Sequence, residues 1–261
     1  MVPRLRSQLL PAALAVAVAS PGWAQMSSAV GLEVLRPSIE GAGDLSSWLF
    51  YPNARVAAGP KLTFVFELPV ATASGSGASE IQLGNPYLGF RLASPANVTL
   101  DVGVRVPLAN VNAFSNALPL LVGSLTDVDR FEAFLPEVLS VQIRATPRHL
   151  TPTGFLAEAY MGSTVMVPTE GGDTELFGDY GFRAGYGGPT AEATLGLTGR
   201  ITMTGDGDIG ERTIHQFAAR VAFETGGVRP YFMLRFPLDD DLADIFKYVV
   251  GAGITVPLRR W

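Results

Sequence analysis

The chain has 261 residues, of which 16% are charged and 48% apolar, with a formal net charge of −5 and no cysteine. The missing cysteines exclude thiol catalysis and Cys-ligated metal sites, and the acidic balance excludes the basic face that a nucleic-acid binder needs. Past the N-terminal region there is no run of eighteen apolar residues, so the mature chain offers no membrane-spanning helix.

Residues 1–24 read as an export signal. Arg4 and Arg6 form a charged start, Leu9 to Ala19 is a short apolar core, and Gly22-Trp23-Ala24 places small residues at the −3 and −1 positions before Gln25. Pro11 and Pro21 argue against a buried N-terminal helix, because proline breaks helix interiors. Cleavage removes two positive charges, which makes the mature net charge −5 − 2 = −7.

From residue 27 onward apolar and polar residues alternate almost everywhere. This is the pattern of strands with one apolar face. Val98, Leu100, Val102, Val104, Val106 and Leu108 fall on one side of a segment whose other side carries Thr99, Asp101, Gly103 and Arg105. Twelve such segments are counted: 27–37, 47–58, 61–71, 80–93, 97–108, 138–149, 154–167, 175–186, 190–203, 213–224, 228–238 and 245–258. Strands of soluble proteins average five or six residues, whereas a membrane-spanning strand needs about 9–11; most of these segments have ten or more.

The connections sort by length. Tight turns such as Gly59-Pro60, Gly187-Gly188-Pro189 and Thr225-Gly226-Gly227 alternate with longer polar links at 38–46, 72–79, 109–137, 168–174, 204–212 and 239–244. That alternation belongs to a barrel with short periplasmic turns and longer external loops. Hydrocarbon offers no partner to a backbone N–H or C=O, so only a helix or an edgeless barrel can span it. The expected fold is therefore all-β, a closed antiparallel transmembrane β-barrel of about twelve strands over residues 25–261. A soluble periplasmic β-protein is opposed by the rows of Val, Leu and Phe, since apolar bands of that size are not tolerated in water.

The polar phase of the strands carries charge. Glu33, Arg55, Glu67, Arg91, Asp101, Arg105, Arg144, Glu158, Asp179, Arg183, Glu192, Arg200, Arg220, Arg229, Arg235 and Lys247 are the candidates to line the lumen. They read either as a selective pore lining or as a salt-bridged filling, with Arg91–Asp101, Arg144–Glu158 and Arg183–Glu192 as expected cross-strand pairs. The arginines of the upper half (Arg105, Arg200, Arg235, with Lys247) lean towards anionic or carboxylate solutes.

The 109–137 link is the longest. Leu118-Pro119-Leu120-Leu121-Val122 is followed by a helix-like stretch, with Thr126 and Asp129 spaced as a capping box and Val128, Phe131 and Leu135 on one face. An apolar face in an external loop needs cover, so this segment is expected to fold over or into the lumen as a lid or constriction.

The whole mature chain resembles the bacterial outer-membrane barrel superfamily in architecture. Its terminal Trp261 is similar to the aromatic residue that the barrel-assembly machinery recognises there, although it follows Arg259-Arg260 and is out of phase with the last strand. Gly84-Asn85-Pro86-Tyr87-Leu88-Gly89 and Arg229-Pro230-Tyr231 faintly resemble the barrels associated with the phenol-degradation pathway. The resemblance implies a Gram-negative outer membrane as the site, with its lipids and the assembly machinery as partners.

A twelve-strand outer-membrane phospholipase, similar in strand number, uses a Ser/His pair two residues apart on its outer wall. Here His149 sits by a turn, His215 is followed two residues on by Phe217, and Ser163 lies three strands away, so no enzyme is expected. Asp206, Asp208, Asp239, Asp240, Asp241 and Asp244 are hard oxygen donors suited to Ca²⁺, yet they read as solvated loop charges, and no metal or cofactor is expected. The leading functional expectation is passive or facilitated passage of a small solute. A closed structural or adhesive barrel working through its loops is the alternative, and a lipid-modifying enzyme stands third.

Overall fold

The computed structural model describes residues 27–41, 45–75, 78–111 and 114–258. The expected signal at 1–24 and the terminal Trp261 lie outside them.

The chain forms β1 (Ala29–Ile39), β2 (Ser46–Ala57), β3 (Leu62–Glu67), β4 (Val70–Gly75), β5 (Ala78–Leu83), β6 (Tyr87–Ala93) and β7 (Val98–Arg105). Helix α1 (Phe114–Thr126) and a 3-10 segment (Val128–Ala133) follow. Then come β8 (Val138–Leu150), β9 (Phe155–Pro168), β10 (Glu175–Gly187), β11 (Ala191–Thr202), β12 (Thr213–Phe223), β13 (Arg229–Pro237), the one-turn α2 (Asp240–Ala243) and β14 (Phe246–Pro257).

All pairings are antiparallel, and β1 pairs with both β14 and β2, so the sheet closes on itself. Twelve staves make the wall, because β3 and β4 share one stave and β5 and β6 another. β3 and β4 pair with β2 in one continuous register, Asn53↔Glu67 below and Phe50↔Val70 above. Pro69 cannot donate to the ladder and interrupts them. The break between β5 and β6 is a bulge: the pairing Val70↔Leu83 is one residue out of step with Glu67↔Tyr87.

Every tight turn lies at one end of the barrel. The tightest joins β12 to β13, where Thr225 and Val228 bridge across Gly226 and Gly227 at φ +57° and +80°. Two successive positive φ values make this a two-residue turn whose twist matches the strands, and they select glycine. The other end carries the long links. The outward row is apolar and exposed, including Leu32, Phe64, Phe90, Ile143, Phe182, Leu195 and Phe232, as a lipid-facing band requires. No helix among the described residues is long and apolar enough to cross a membrane.

Above the bulge the wall is incomplete. β7 leaves the sheet at Arg105, so β5 pairs with β4 alone. The 97–108 segment expected as one strand therefore ends three residues early. Helix α1 packs against β4, β5 and β2.

Candidate functional site

The chain enters the barrel interior directly after β7, and one side chain fixes its path. Asn85, fully buried in the bulge, accepts the N–H groups of Leu108 (2.9 Å) and Ala109 (2.9 Å) on Oδ1. Its Nδ2 donates to the carbonyls of Glu132 (3.0 Å) and Leu135 (2.6 Å), and its backbone N–H donates to Ala133 O (2.7 Å). Asn85 thus ties both ends of the long link to the wall. Its neighbour must be glycine, because a Cβ on Gly84 would stand 2.3 Å from Ala133 O and 2.8 Å from the Phe134 ring.

Around this anchor the link packs as a plug. Leu120, Ala133 and Phe134 join Leu35, Leu49, Tyr51 and Ala71 of the wall in one buried apolar cluster. The rings of Phe134 and Tyr51 meet edge to face at 5.8 Å. Each large side chain so buried contributes about 1.5–3 kcal/mol. The plug is therefore a small core inside the barrel and not a strand of solvated chain.

Its details depart from the sequence reading. The helix spans 114–126, earlier than expected, despite Pro119 within it. No capping box forms between Thr126 and Asp129. The Thr126 hydroxyl donates back to Val122 O (2.6 Å), and Asp127 caps the 3-10 segment by accepting the Asp129 N–H (3.1 Å). Val128 is buried, but Phe131 and Leu135 are only half-buried, and Phe134 holds the central place. The cause is local: Arg130 is non-helical at φ −132°, so a 3.6-residue period fails across it.

Beneath the apolar cluster the plug is held by charge. Asp127 accepts from Arg130 Nε (2.7 Å) and from Arg235. Arg130 lies over the Tyr51 ring (3.7 Å) and pairs with Glu33 and with Glu67 (3.1 Å). Glu132 bridges Arg200 (2.9 Å) and Arg105 (3.3 Å), while Arg200 also reaches Asp179 (2.6 Å) and Arg105 reaches Glu67 (2.8 Å). Asp129 accepts from Tyr160, with Arg144 3.8 Å away. Gln216 clasps the backbone, donating to Thr126 O (3.0 Å) and accepting from Val128 N (3.3 Å). Burial pushes the Asp127 and Glu132 carboxyls up. Arg130 and Arg235 around Asp127, and Arg200 and Arg105 around Glu132, outweigh it and hold both below the usual carboxylate range.

Under the plug, towards the tight-turn end, lies a cavity of about 650 Å³ lined by charged side chains. Arg91 pairs with Asp101 (2.7 Å) and Arg183 with Glu158 (2.8 Å). Glu192 serves Arg229 (2.9 Å), Arg148 (3.1 Å) and Arg220 (3.2 Å) together.

No protein-family model matches the sequence, and no curated protein matches it significantly. Solved structures do match. The chain aligns with the COG4313 outer membrane channel from Pseudomonas putida F1 at a TM-score of 0.58, over 89% of this chain and 96% of that one, with 12% identity. The NanC porin gives 0.51 over 87% and 100%, with 7% identity. LpxR from Salmonella typhimurium gives 0.50 over 88% and 100%, with 12% identity. The chain has the fold of the outer-membrane β-barrels. At these identities the fold is what the proteins share.

Within this barrel several expected charge partners are exchanged. Arg91–Asp101 forms, but Arg144 turns to Asp129 of the plug, and Glu158 pairs with Arg183, which stands directly opposite it in register. Glu192 is instead the acceptor for three other arginines. The upper arginines do not form a free cationic zone, since Arg105, Arg200 and Arg235 are spent on Glu67, Glu132, Asp179 and Asp127. Lys247 does not face the lumen. A register shift near Ser38 and Ile39 puts Phe246 inside, and Lys247 pairs with Glu40 (3.1 Å) at the rim with 58% of its side chain exposed.

The outer wall holds one arrangement that the sequence did not announce. His215 Nδ1 lies 3.0 Å from Asp239 Oδ1, and its Nε2 lies 2.6 Å from the Tyr180 hydroxyl. Tyr180, on β10, reaches it across β11. Among the described residues no group of three or more His, Cys, Asp or Glu is placed to hold a metal ion.

Proposed function

We propose that this protein is an outer-membrane channel for small polar solutes, in which segment 106–137 is the gate. The observation that carries the reading is the charged cavity of about 650 Å³ ending against the underside of the plug. A barrel meant only as a scaffold gains nothing from a wet, charged chamber, since buried charge is costly unless paired. The tight turns mark the periplasmic end, so the cavity opens inward and the plug stands on the external side. Solute passes when the plug shifts from its ion pairs.

The packed upper half favours a second reading, a closed barrel that works through its loops. Conductance separates the two. Deleting residues 115–134 removes all of α1 but its first residue and the whole 3-10 segment, and the channel reading expects a several-fold larger single-channel conductance in planar bilayers. Heat-modifiable migration of the variant checks that the barrel still folds. A well-folded deletion variant with unchanged conductance would overturn the gate.

A further inference from the structure

We propose that the cavity beneath the plug contains a binding site for a small organic carboxylate, centred on Arg55. The proposal deepens the channel reading by naming the class of solute, and it rests on that reading only for its purpose.

At the level of the cavity floor the wall holds six arginines, Arg55, Arg91, Arg148, Arg183, Arg220 and Arg229, against four carboxylates, Asp101, Glu158, Glu192 and the Glu224 that pairs with Arg229. The excess is 6 − 4 = +2. Five of the arginines have an ion-pair partner. Arg55 makes no ion pair among the described residues. The charged group that acts on it most strongly is another cation, Arg91, and Arg220 adds to it. Asp101 acts on it favourably, more strongly than Arg220 acts against it, but Arg91 already holds that carboxylate at 2.7 Å. The side chain is exposed to the lumen, so its donors are open to a ligand.

The neighbouring wall completes a donor set. Register places Arg229, Thr255, Gly31 and Asn53 side by side on β13, β14, β1 and β2, with Arg55 one inward position further along β2. This arc carries a hydroxyl, an amide and a guanidinium at each end. The Arg229 guanidinium is already held by Glu192 (2.9 Å) and Glu224 (3.3 Å), so the unpaired cation of the arc is Arg55. Guanidinium groups bind carboxylates through two parallel N–H···O bonds. An organic anion at the Arg55 end of this arc would therefore find an unpaired cation beside the neutral donors of Asn53 and Thr255, without having to displace a carboxylate from Arg55.

Succinate is the probe. Titrated calorimetrically into the full-length barrel in detergent at low ionic strength, it is expected to bind saturably. R55Q should weaken binding at least tenfold, R55K should recover part of it, and K247Q, at the rim, should leave it unchanged. No saturable heat from the wild type, or equal affinity in folded R55Q, would overturn the site. Calorimetry does not require conduction. Binding without a conductance step in bilayers sinks the channel reading and leaves the site standing, whereas conductance without binding sinks the site alone.

Discussion

Replacing Asn85 by alanine should loosen the plug and leave the barrel intact. The substitution removes four hydrogen bonds from one fully buried side chain, to Leu108 N, Ala109 N, Glu132 O and Leu135 O. Each is worth about 0.5–1.5 kcal/mol net, and a partner left dry costs more. Four together come to ~2–6 kcal/mol. At about 1.4 kcal/mol per factor of ten, the plug should open roughly thirtyfold to ten-thousandfold more often. The wall hydrogen bonds between strands are untouched, so the thermal unfolding of the barrel should hardly move. Amide hydrogen exchange separates the two effects. Protection in 106–111 and 128–135 should collapse in N85A while that of β8 to β12 stays as in the wild type. Plug amides that keep their protection to within about threefold would refute the claim that Asn85 anchors the segment.

On the channel reading, acid should release the plug only late. Asp127 and Glu132 sit below their ordinary values of 3.8 and 4.5 in the closed state, so their contribution to closure is complete above those values. It is lost only as pH falls through the lower closed-state values. Single-channel conductance should therefore stay flat from pH 7 to about 5 and rise below that; opening between pH 7 and 5 would count against the ion-pair latch. On the outer wall, Tyr180–His215–Asp239 lacks a serine, and the wild-type protein should release no more fatty acid from phospholipid vesicles than H215A does. Release that H215A abolishes would establish a lipid-modifying activity in its place.

The strands were legible because a lipid-facing row writes itself into the sequence at every second residue, and because loop length sorts by side. The 190–203 and 213–224 segments needed nothing more, whereas 97–108 overran the strand by three residues. What stayed hidden depends on how staves slide past one another. Arg144, Glu158, Arg183 and Glu192 all line the cavity, yet their partners follow from register, which alternation alone does not set. The plug shows the same limit. Gly84-Asn85-Pro86 reads as a local irregularity in a strand, and only the return of residues 106–135 to that point turns its asparagine into an anchor. Tyr180 and His215 stand 35 positions apart and meet across an intervening strand, so a search for close sequence spacing misses them. Lys247 was misplaced by one bulge.

A wet interior sealed from one side within an oily exterior can be probed by thiol labelling. The chain has no cysteine, so single cysteines report cleanly. In proteoliposomes of known orientation, Thr146→Cys in the cavity should react with a charged, membrane-impermeant thiol reagent from the turn side and hardly at all from the loop side. Ile143→Cys, three residues away on the outward row, should resist it from both. Equal labelling of the two cysteines, or free labelling of Thr146→Cys from the loop side, would contradict the account.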